Sequence, residues 1–169
     1  VPREGAVYDS NRYTVHGMLA RLGCEVIDLG VVRDEPALLE AAFHDAAARA
    51  DAIITSGGVS VGEADFTKAM MKQLGDVAFW RIAMRPGRPM AVGRIGRAAL
   101  FGLPGNPVAV MVTFLAFVRP ALLRMMGATG TQPPMLRARS AEALRKKPGR
   151  TEYQRGVVSP AADGTLQVR

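Results

Sequence analysis

Apolar residues recur along this chain at changing intervals, and the changes mark out helical stretches alternating with short extended ones. Over residues 11–22 the spacing sets Tyr13, Met18 and Leu19 near one face of a helix that Asp9 or Ser10 can cap and Gly23 ends. The mostly apolar run Cys24-Glu25-Val26-Ile27-Asp28-Leu29 predicts a strand over 25–29. Asp34-Glu35-Pro36 then opens an alanine-rich helix to about residue 49, its acidic residues at the end the helix dipole favours. Ala52-Ile53-Ile54-Thr55 reads as a buried strand, and residues 66–74 as a helix that Asp65 can cap. Further strands are predicted over 77–84, 90–95 and 98–101, and a helix apolar nearly all round runs from Pro107 to Arg119-Pro120. Such a helix sits at the centre of a fold or against another subunit. Strands alternating with helices imply βα units, so the predicted class is α/β, with three layers around a parallel or mixed sheet.

The composition changes at Gly130-Thr131-Gln132-Pro133-Pro134, which reads as a hinge. It divides the chain into an α/β domain over 1–130 and the start of a small β domain over 131–169. In the second part, residues 136–141 and 152–158 resemble strands, and Ala162-Asp163-Gly164-Thr165 resembles a hairpin turn into Leu166-Gln167-Val168. The first helix arrives without the strand that a doubly wound fold normally supplies, no initiator methionine is present, and the chain stops within its last strand. The expectation is a fragment of a longer protein whose 169 residues complete one core.

Charge alters this picture. The net charge is +7, and it is uneven: residues 1–76 carry 12 acidic and 7 basic side chains, residues 77–169 carry 3 and 15. Of the 22 basic residues, 18 are arginine, whose planar fork suits phosphate and other oxyanions. Aromatic residues are 6% of the chain and do not interleave with the arginines, so stacking on single-stranded bases has little support and no nucleic-acid partner is expected. The single cysteine, Cys24, excludes a disulfide framework and reads as a small buried residue. The apolar run 108–118 is too short to cross a bilayer, and Val1-Pro2-Arg3-Glu4-Gly5 has no signal pattern. A cytoplasmic protein without a membrane partner is the expectation.

Polar residues with chemical promise fall at strand-to-helix loops, which in a parallel sheet gather along the carboxyl edge where ligands bind. In Ser56-Gly57-Gly58-Val59-Ser60-Val61-Gly62-Glu63-Ala64-Asp65, Gly57 and Gly58 let backbone amides approach a phosphate and Ser60 can donate a hydrogen bond. The spacing is neither a P-loop nor a dinucleotide fingerprint. In Gly102-Leu103-Pro104-Gly105-Asn106-Pro107, Asn106 can cap the next helix and Pro107 suits its first position, leaving two readings: an anion site at a helix start, or a stiff turn. Asp65 and Asp34 are open between helix caps and magnesium ligands, while Asp9 is read as a cap. Arg81, Arg85 and Arg88 fall within eight positions around Pro86-Gly87, which favours an oxyanion pocket. His16 and His44 have no ligand-like spacing with Cys24, so no zinc site is expected.

Four motifs together, Tyr8-Asp9-Ser10-Asn11-Arg12, the Ser56 to Asp65 loop, Met84-Arg85-Pro86-Gly87-Arg88-Pro89 and Gly102-Leu103-Pro104-Gly105-Asn106-Pro107, resemble the MoeA and gephyrin E-domain family of molybdopterin molybdenumtransferases in order and spacing. The resemblance covers nearly the whole chain and implies a MoaB/MogA-like molybdopterin-binding domain. It also implies a reaction, insertion of molybdate into adenylylated molybdopterin with release of AMP, the last stage of molybdenum cofactor synthesis. By resemblance, Gly57, Gly58 and Ser60 would cradle the phosphates of the pterin-adenylate substrate, and Asp34 and Asp65 would serve a magnesium-dependent cleavage, both as catalytic residues and as metal ligands. Arg81 and Arg85 stand where the family has basic residues, often lysine, near molybdate or phosphate. Pro104, Asn106 and Pro107 would form the substrate pocket wall, and Arg155 in Glu152-Tyr153-Gln154-Arg155-Gly156 matches a basic site residue of the family's last domain.

The family further implies a homodimer in which another subunit's N-terminal region completes the site, so the 169 residues alone are expected to be inactive. A molybdopterin adenylyltransferase is an expected partner. Two other functions stand beside the insertase. A molybdopterin adenylyltransferase itself shares the α/β domain, but its glycine turn resembles Gly-Gly-Thr-Gly where this chain has Gly57-Gly58-Val59-Ser60. A non-catalytic scaffold, as in gephyrin-like relatives, is the third, and no recognisable receptor groove supports it.

Overall fold

The structure is a computed structural model that describes residues 8–59 and 65–169, with only the backbone of Asp65. Helix α1, Ser10–Arg21, starts at Asp9, whose side chain accepts from the Arg12 amide as a cap should. Helix α2, Pro36–Arg49, has proline in its first turn, where a missing N–H costs nothing. Strand β1, Ala52–Ser56, helix α3, Asp65–Leu74, and strand β2, Asp76–Arg81, follow. After them come β3, Met84–Arg85, β4, Pro89–Ile95, and β5, Ala98–Leu103.

The main sheet has the order β1-β5-β4-β2. β1 and β5 run parallel, with Ala52 opposite Ala99 and Ser56 opposite Leu103, whereas β5–β4 and β4–β2 are antiparallel. The sheet is therefore mixed. Alternation along β5 sends Ala98 and Leu100 to one face and Phe101 and Leu103 to the other. On the first face they join Leu39 and Phe43 of α2 and Met70 and Met71 of α3. On the second they join Val15 of α1 and Val110, Phe114, Val118 and Leu122 of the long C-terminal helix. Two helical layers thus sandwich the sheet, the predicted three-layer α/β arrangement.

That long helix is three pieces in one rod: α4, Pro107–Thr113, a π segment, Phe114–Val118, and α5, Arg119–Met125. The amide of Arg119 donates to the carbonyl of Phe114, five residues back. Pro120 follows and has no N–H to give, so the wide turn falls where the ordinary ladder would break. At 19 residues the rod is long and apolar enough to cross a bilayer by length and composition, longer than the run over 108–118 suggested. Its buried Val110, Phe114 and Val118 make it a core helix here, while Val108, Met111 and Leu115 form an exposed apolar stripe at helical spacing.

The predicted strand over 25–29 is absent: these residues carry no ladder among the described residues. A strand exists by pairing, and although β1 ends the sheet with its outer edge open among the described residues, residues 25–29 do not pair along it and Ile27 and Leu29 stay exposed. The predicted strand over 77–84 is likewise divided, into β2 and β3, because the chain turns at Ile82 and Ala83 and the Ile82 amide donates to the Arg88 carbonyl. Beyond residue 130 the strand predicted over 136–141 is reduced to β6, Arg139–Ser140, and that over 152–158 to β7, Thr151–Glu152, and β8, Val158–Pro160, while β9, Leu166–Val168, has the predicted bounds. β6, β9 and β8 form one small sheet, with a turn in which the Ala161 amide donates to the Thr165 carbonyl. β7 instead pairs parallel to β3, tying this segment to the α/β part.

Candidate anion-binding site at the carboxyl edge of the sheet

Because β1 and β5 are parallel neighbours in register, the loops that leave them begin side by side. The Gly57 amide donates to the Leu103 carbonyl at 3.1 Å. Asn11, on α1, joins the two loops: its Nδ2 donates to Ser56 Oγ at 2.8 Å and to the Gly105 carbonyl at 2.7 Å. Ser56 Oγ in turn donates to the Pro104 carbonyl at 3.3 Å. The two glycine-bearing corners therefore meet. Asn11 Oδ1 and Thr55 Oγ1 are buried there without a hydrogen-bond partner among the described residues, so the polar interior of this corner is not fully satisfied by the protein.

Glycine is required at two of these positions. Gly58 has φ of 68°, and a Cβ on it would lie 2.7 Å from Thr67 Cγ2 in the first turns of α3. A Cβ on Gly102 would lie 2.7 Å from Val59 Cγ1 and 2.9 Å from the Ala91 methyl. The loop after β1 is thus pressed between β5 and α3, with Val59 buried as its anchor. Thr67 donates from Oγ1 to Asp34 Oδ1 at 3.2 Å, which brings the exposed Asp34 carboxylate to the start of α3.

Asn106 is the cap of α4: its side-chain oxygen accepts from the amides of Val108 and Ala109. Those first helical donors are consequently occupied by Asn106, and any anion at the corner must use loop amides instead. Pro104 is buried and Pro107 is exposed. Arg12, next to Asn11, lies 3.5 Å from Asp28 and 3.7 Å from Asp9, with its guanidinium over the Tyr13 ring. Burial works to lower its pKa, but the charges of Asp28, Tyr13 and Asp9 and the hydrogen bond to Tyr13 outweigh it and raise the value.

The three arginines read as one pocket are separated. Arg81, at the end of β2, and Arg88 line an open cleft of about 550 Å³ together with Lys68 and Lys72 of α3. Arg85 does not line that cleft. It lies in β3 opposite Glu152, and its carbonyl accepts from the Tyr153 amide, so the segment that carries Arg155 starts beside Arg85 rather than beside Arg81. The turn at Gly87 packs on α4, near the Thr113 side chain and the Ala109 carbonyl, and this links Arg85 to the helix that starts at residues 104–107. Spacing along the chain groups the three arginines; the chain reversal between β2 and β4 separates Arg85 from Arg81 and Arg88.

Ser60 and the side chain of Asp65 lie outside the described residues. Among the described residues no group of three metal-ligating side chains occurs, and Asp34 with Thr67 is a pair of hard oxygen donors only. Neither Asn11 nor Thr67 was singled out by its chemistry in the sequence. Asn11 stood within a motif without a role, and nothing in the spacing marks Thr67 as a partner of Asp34.

Residues 3–124 match the family described as a probable molybdopterin binding domain. The molybdopterin molybdenumtransferase of Haemophilus influenzae is 46% identical over 168 residues, 99% of this chain and 42% of that protein. Molybdopterin molybdenumtransferase 2 of Mycobacterium tuberculosis is 33% identical over 168 residues, 96% of this chain and 41% of that protein. Among solved structures, the molybdopterin biosynthesis moea protein of Pyrococcus horikosii superposes with a TM-score of 0.75 at 29% identity, over 100% of this chain and 42% of the other. A MogA structure superposes with a TM-score of 0.55 at 29% identity, over 70% of this chain and 90% of the other. The chain spans less than half the length of the curated relatives it matches. It belongs to the molybdopterin-binding domain family, and its curated relatives in that family are molybdopterin molybdenumtransferases.

Proposed function

We propose that this chain is the substrate-binding part of a molybdopterin molybdenumtransferase, inserting molybdate into adenylylated molybdopterin with release of AMP. The observation that carries the proposal is the meeting of the Gly57 and Gly58 loop with residues 104–107 across Asn11, beside the Asp34 carboxylate. In this reading the loop of Gly57, Gly58 and Ser60 holds the phosphate oxygens of the adenylate, with the Gly58 amide and the Ser60 hydroxyl as donors while the Gly57 amide stays on the Leu103 carbonyl, and Pro104, Asn106 and Pro107 keep the opposite wall rigid. Arg81 and Arg85 serve different parts of the ligand, since Arg81 opens on the α3 cleft and Arg85 on the segment before Arg155.

Asp34, held by Thr67, is a hard oxygen donor of the kind magnesium takes; in this reading Asp34 and Asp65 would hold the ion, which would supply charge neutralisation at the phosphate. The rest belongs to the chain itself: orienting the phosphates on rigid amides, holding Asp34 through Thr67, and setting cationic side chains where negative charge collects. The exposed stripe of Val108, Met111 and Leu115 suits a second subunit, so the working form in this reading is a homodimer. A molybdopterin adenylyltransferase supplies the adenylate.

The likeness to a MogA structure gives the adenylyltransferase reading its support. Val59 and Ser60 at the glycine turn, and the pairing of β7 with β3, favour the insertase. A chimera decides. This chain replaces the matching segment of the Haemophilus influenzae relative, and AMP release from adenylylated molybdopterin is followed with and without molybdate. Molybdate-stimulated AMP release supports the insertase; synthesis of the adenylate from ATP supports the adenylyltransferase; neither activity in a folded chimera supports a scaffold. The chain by itself is predicted to release no AMP, and release at the rate of the intact relative would contradict the shared-site part of the reading.

A further inference from the structure

We propose that the outer edge of β2 is a docking site for an extended segment of a partner protein in which acidic and apolar residues alternate. β2 is an end strand of the main sheet, and among the described residues nothing pairs with its outer side. A row of unpaired N–H and C=O groups is a template for another strand unless proline, a bulge, extreme shortness or inward-pointing charge blunts it. β2 carries none of these devices. It runs for six residues, Asp76-Val77-Ala78-Phe79-Trp80-Arg81, each opposite one residue of β4, so it has no bulge, and its charges stand only at the two ends.

The two faces of that edge differ, and the difference specifies the partner. Val77 and Phe79 pack on the α2 and α3 side of the sheet, and Arg81 shares their face by alternation. There Lys72 Nζ of α3 lies 5.7 Å from the centre of the Phe79 ring, and Lys72, Phe79 and Arg81 line the cleft described above, with no carboxylate among the described residues beside them. On the opposite face the second helical layer buries Met90 of β4 and goes no further toward the edge. Trp80, the chain's single tryptophan, lies opposite Met90 and is 60% exposed, and Ala78 and Val92, opposite one another, are exposed as well. Apolar surface is thus left in water along an unpaired edge.

A strand added to β2 places alternate side chains in two environments. Those beside Lys72 and Arg81 are favoured as carboxylates, and those beside Ala78 and Trp80 as apolar groups. Main-chain hydrogen bonds supply the affinity, and the alternation supplies the selectivity. A second copy of this chain fits less well. Pairing through the same edge about a two-fold axis normal to the sheet keeps each face beside its like, so Lys72 and Arg81 of one copy would meet the same cations of the other. The inference goes beyond the reaction proposed above and is independent of it, since it uses only the sheet edge and its flanks.

The probe is the peptide Glu-Val-Glu-Val-Glu-Val, titrated into the chain and followed by calorimetry, Trp80 fluorescence and amide NMR. The expected result is saturable binding with a shift in Trp80 emission and slowed amide exchange within residues 76–81. Glu-Glu-Glu-Val-Val-Val, of equal charge without the alternation, and the alternating peptide with every amide N-methylated bind about tenfold or more weakly. Trp80→Lys and Lys72→Glu, both at exposed positions, each weaken the alternating peptide about tenfold or more in calorimetry and leave the melting temperature unchanged. Should one substitution lower the melting temperature, the other and the peptide comparison decide. Equal affinity for the block or the N-methylated peptide, oligouridylate binding as tightly as the alternating peptide, amide changes confined to residues outside 76–81, or no saturable binding overturns the proposal. Self-association of the chain that Trp80→Lys abolishes assigns the edge to a second copy and overturns it too.

Discussion

The glycine corner and the cationic cleft are neighbours made of different material. At the corner the geometry is set by backbone and by buried contacts: Gly102 leaves room for Val59, Gly58 leaves room for Thr67, and Asn11 bridges the two loops. At the cleft it is set by long side chains, with Arg81, Arg88 and Lys72 on exposed positions of α3, β2 and the following turn. The lesson concerns where damage shows. A change at the corner reaches the sheet and the core before it reaches a ligand, whereas a change at the cleft alters charge and leaves the fold alone.

Gly102→Val tests the first half most severely. The new side chain has Val59 Cγ1 and the Ala91 methyl within 2.9 Å of its Cβ, and both belong to well-packed surroundings. Overpacking of this kind costs about 1–3 kcal/mol. Urea unfolding should show the loss, and a midpoint equal to that of the parent chain would mean that the corner is loose. Asn11→Ala is the next largest. It leaves the Gly105 carbonyl and Ser56 Oγ without their bridging donor, a penalty of about 1–2 kcal/mol, and it should speed hydrogen exchange at the Gly57 amide. Unchanged exchange at Gly57 would show that Asn11 is not what holds the loops together.

Arg88→Ala tests the second half. Stability should stay within about 0.5 kcal/mol of the parent, as for other exposed side chains, while affinity of the chain for phosphate weakens. A large drop in melting temperature would make Arg88 a structural residue and erase the distinction. The smallest effect lies far from both regions. Donation from the Thr165 hydroxyl and then the Thr165 amide lowers the pKa of Asp163, so the charged form stabilises the turn before β9. For a carboxyl depressed in the folded state, that contribution is full above the unfolded value and is lost as pH falls through the folded one. The protection factor of the Thr165 amide, taken against its intrinsic exchange rate at each pH, should therefore fall in acid, and Asp163→Asn should remove that change in protection.

Sequence showed the corner better than it showed the cleft, for a physical reason. Glycine and proline at turns restrict the backbone locally, so Gly57, Gly58 and residues 102–107 signalled their shape without knowledge of the rest. The alternation of Ile53 and Ile54, or of Leu100 and Phe101, likewise reported which faces are covered, and the three layers followed. Pairing is not local. Residues 25–29 have the composition of a strand, but they do not pair with the open edge of β1. Grouping of arginines is not local either: Arg81 and Arg88 are seven positions apart and line one cleft, while Arg85 between them pairs with Glu152 in the β3–β7 ladder. Asn11 and Thr67 became visible only when α1 and α3 were placed against the loops.

The central claim is that the loop after β1 and the turn after β5 form one receptor for phosphate oxygens. Amide chemical shifts of the chain, followed by NMR during titration with AMP, address it directly. The account predicts that Gly57, Gly58 and Gly105 move together with one saturating curve. Shifts confined to the arginine-rich segment beyond residue 130, with these three glycines unmoved, would contradict it.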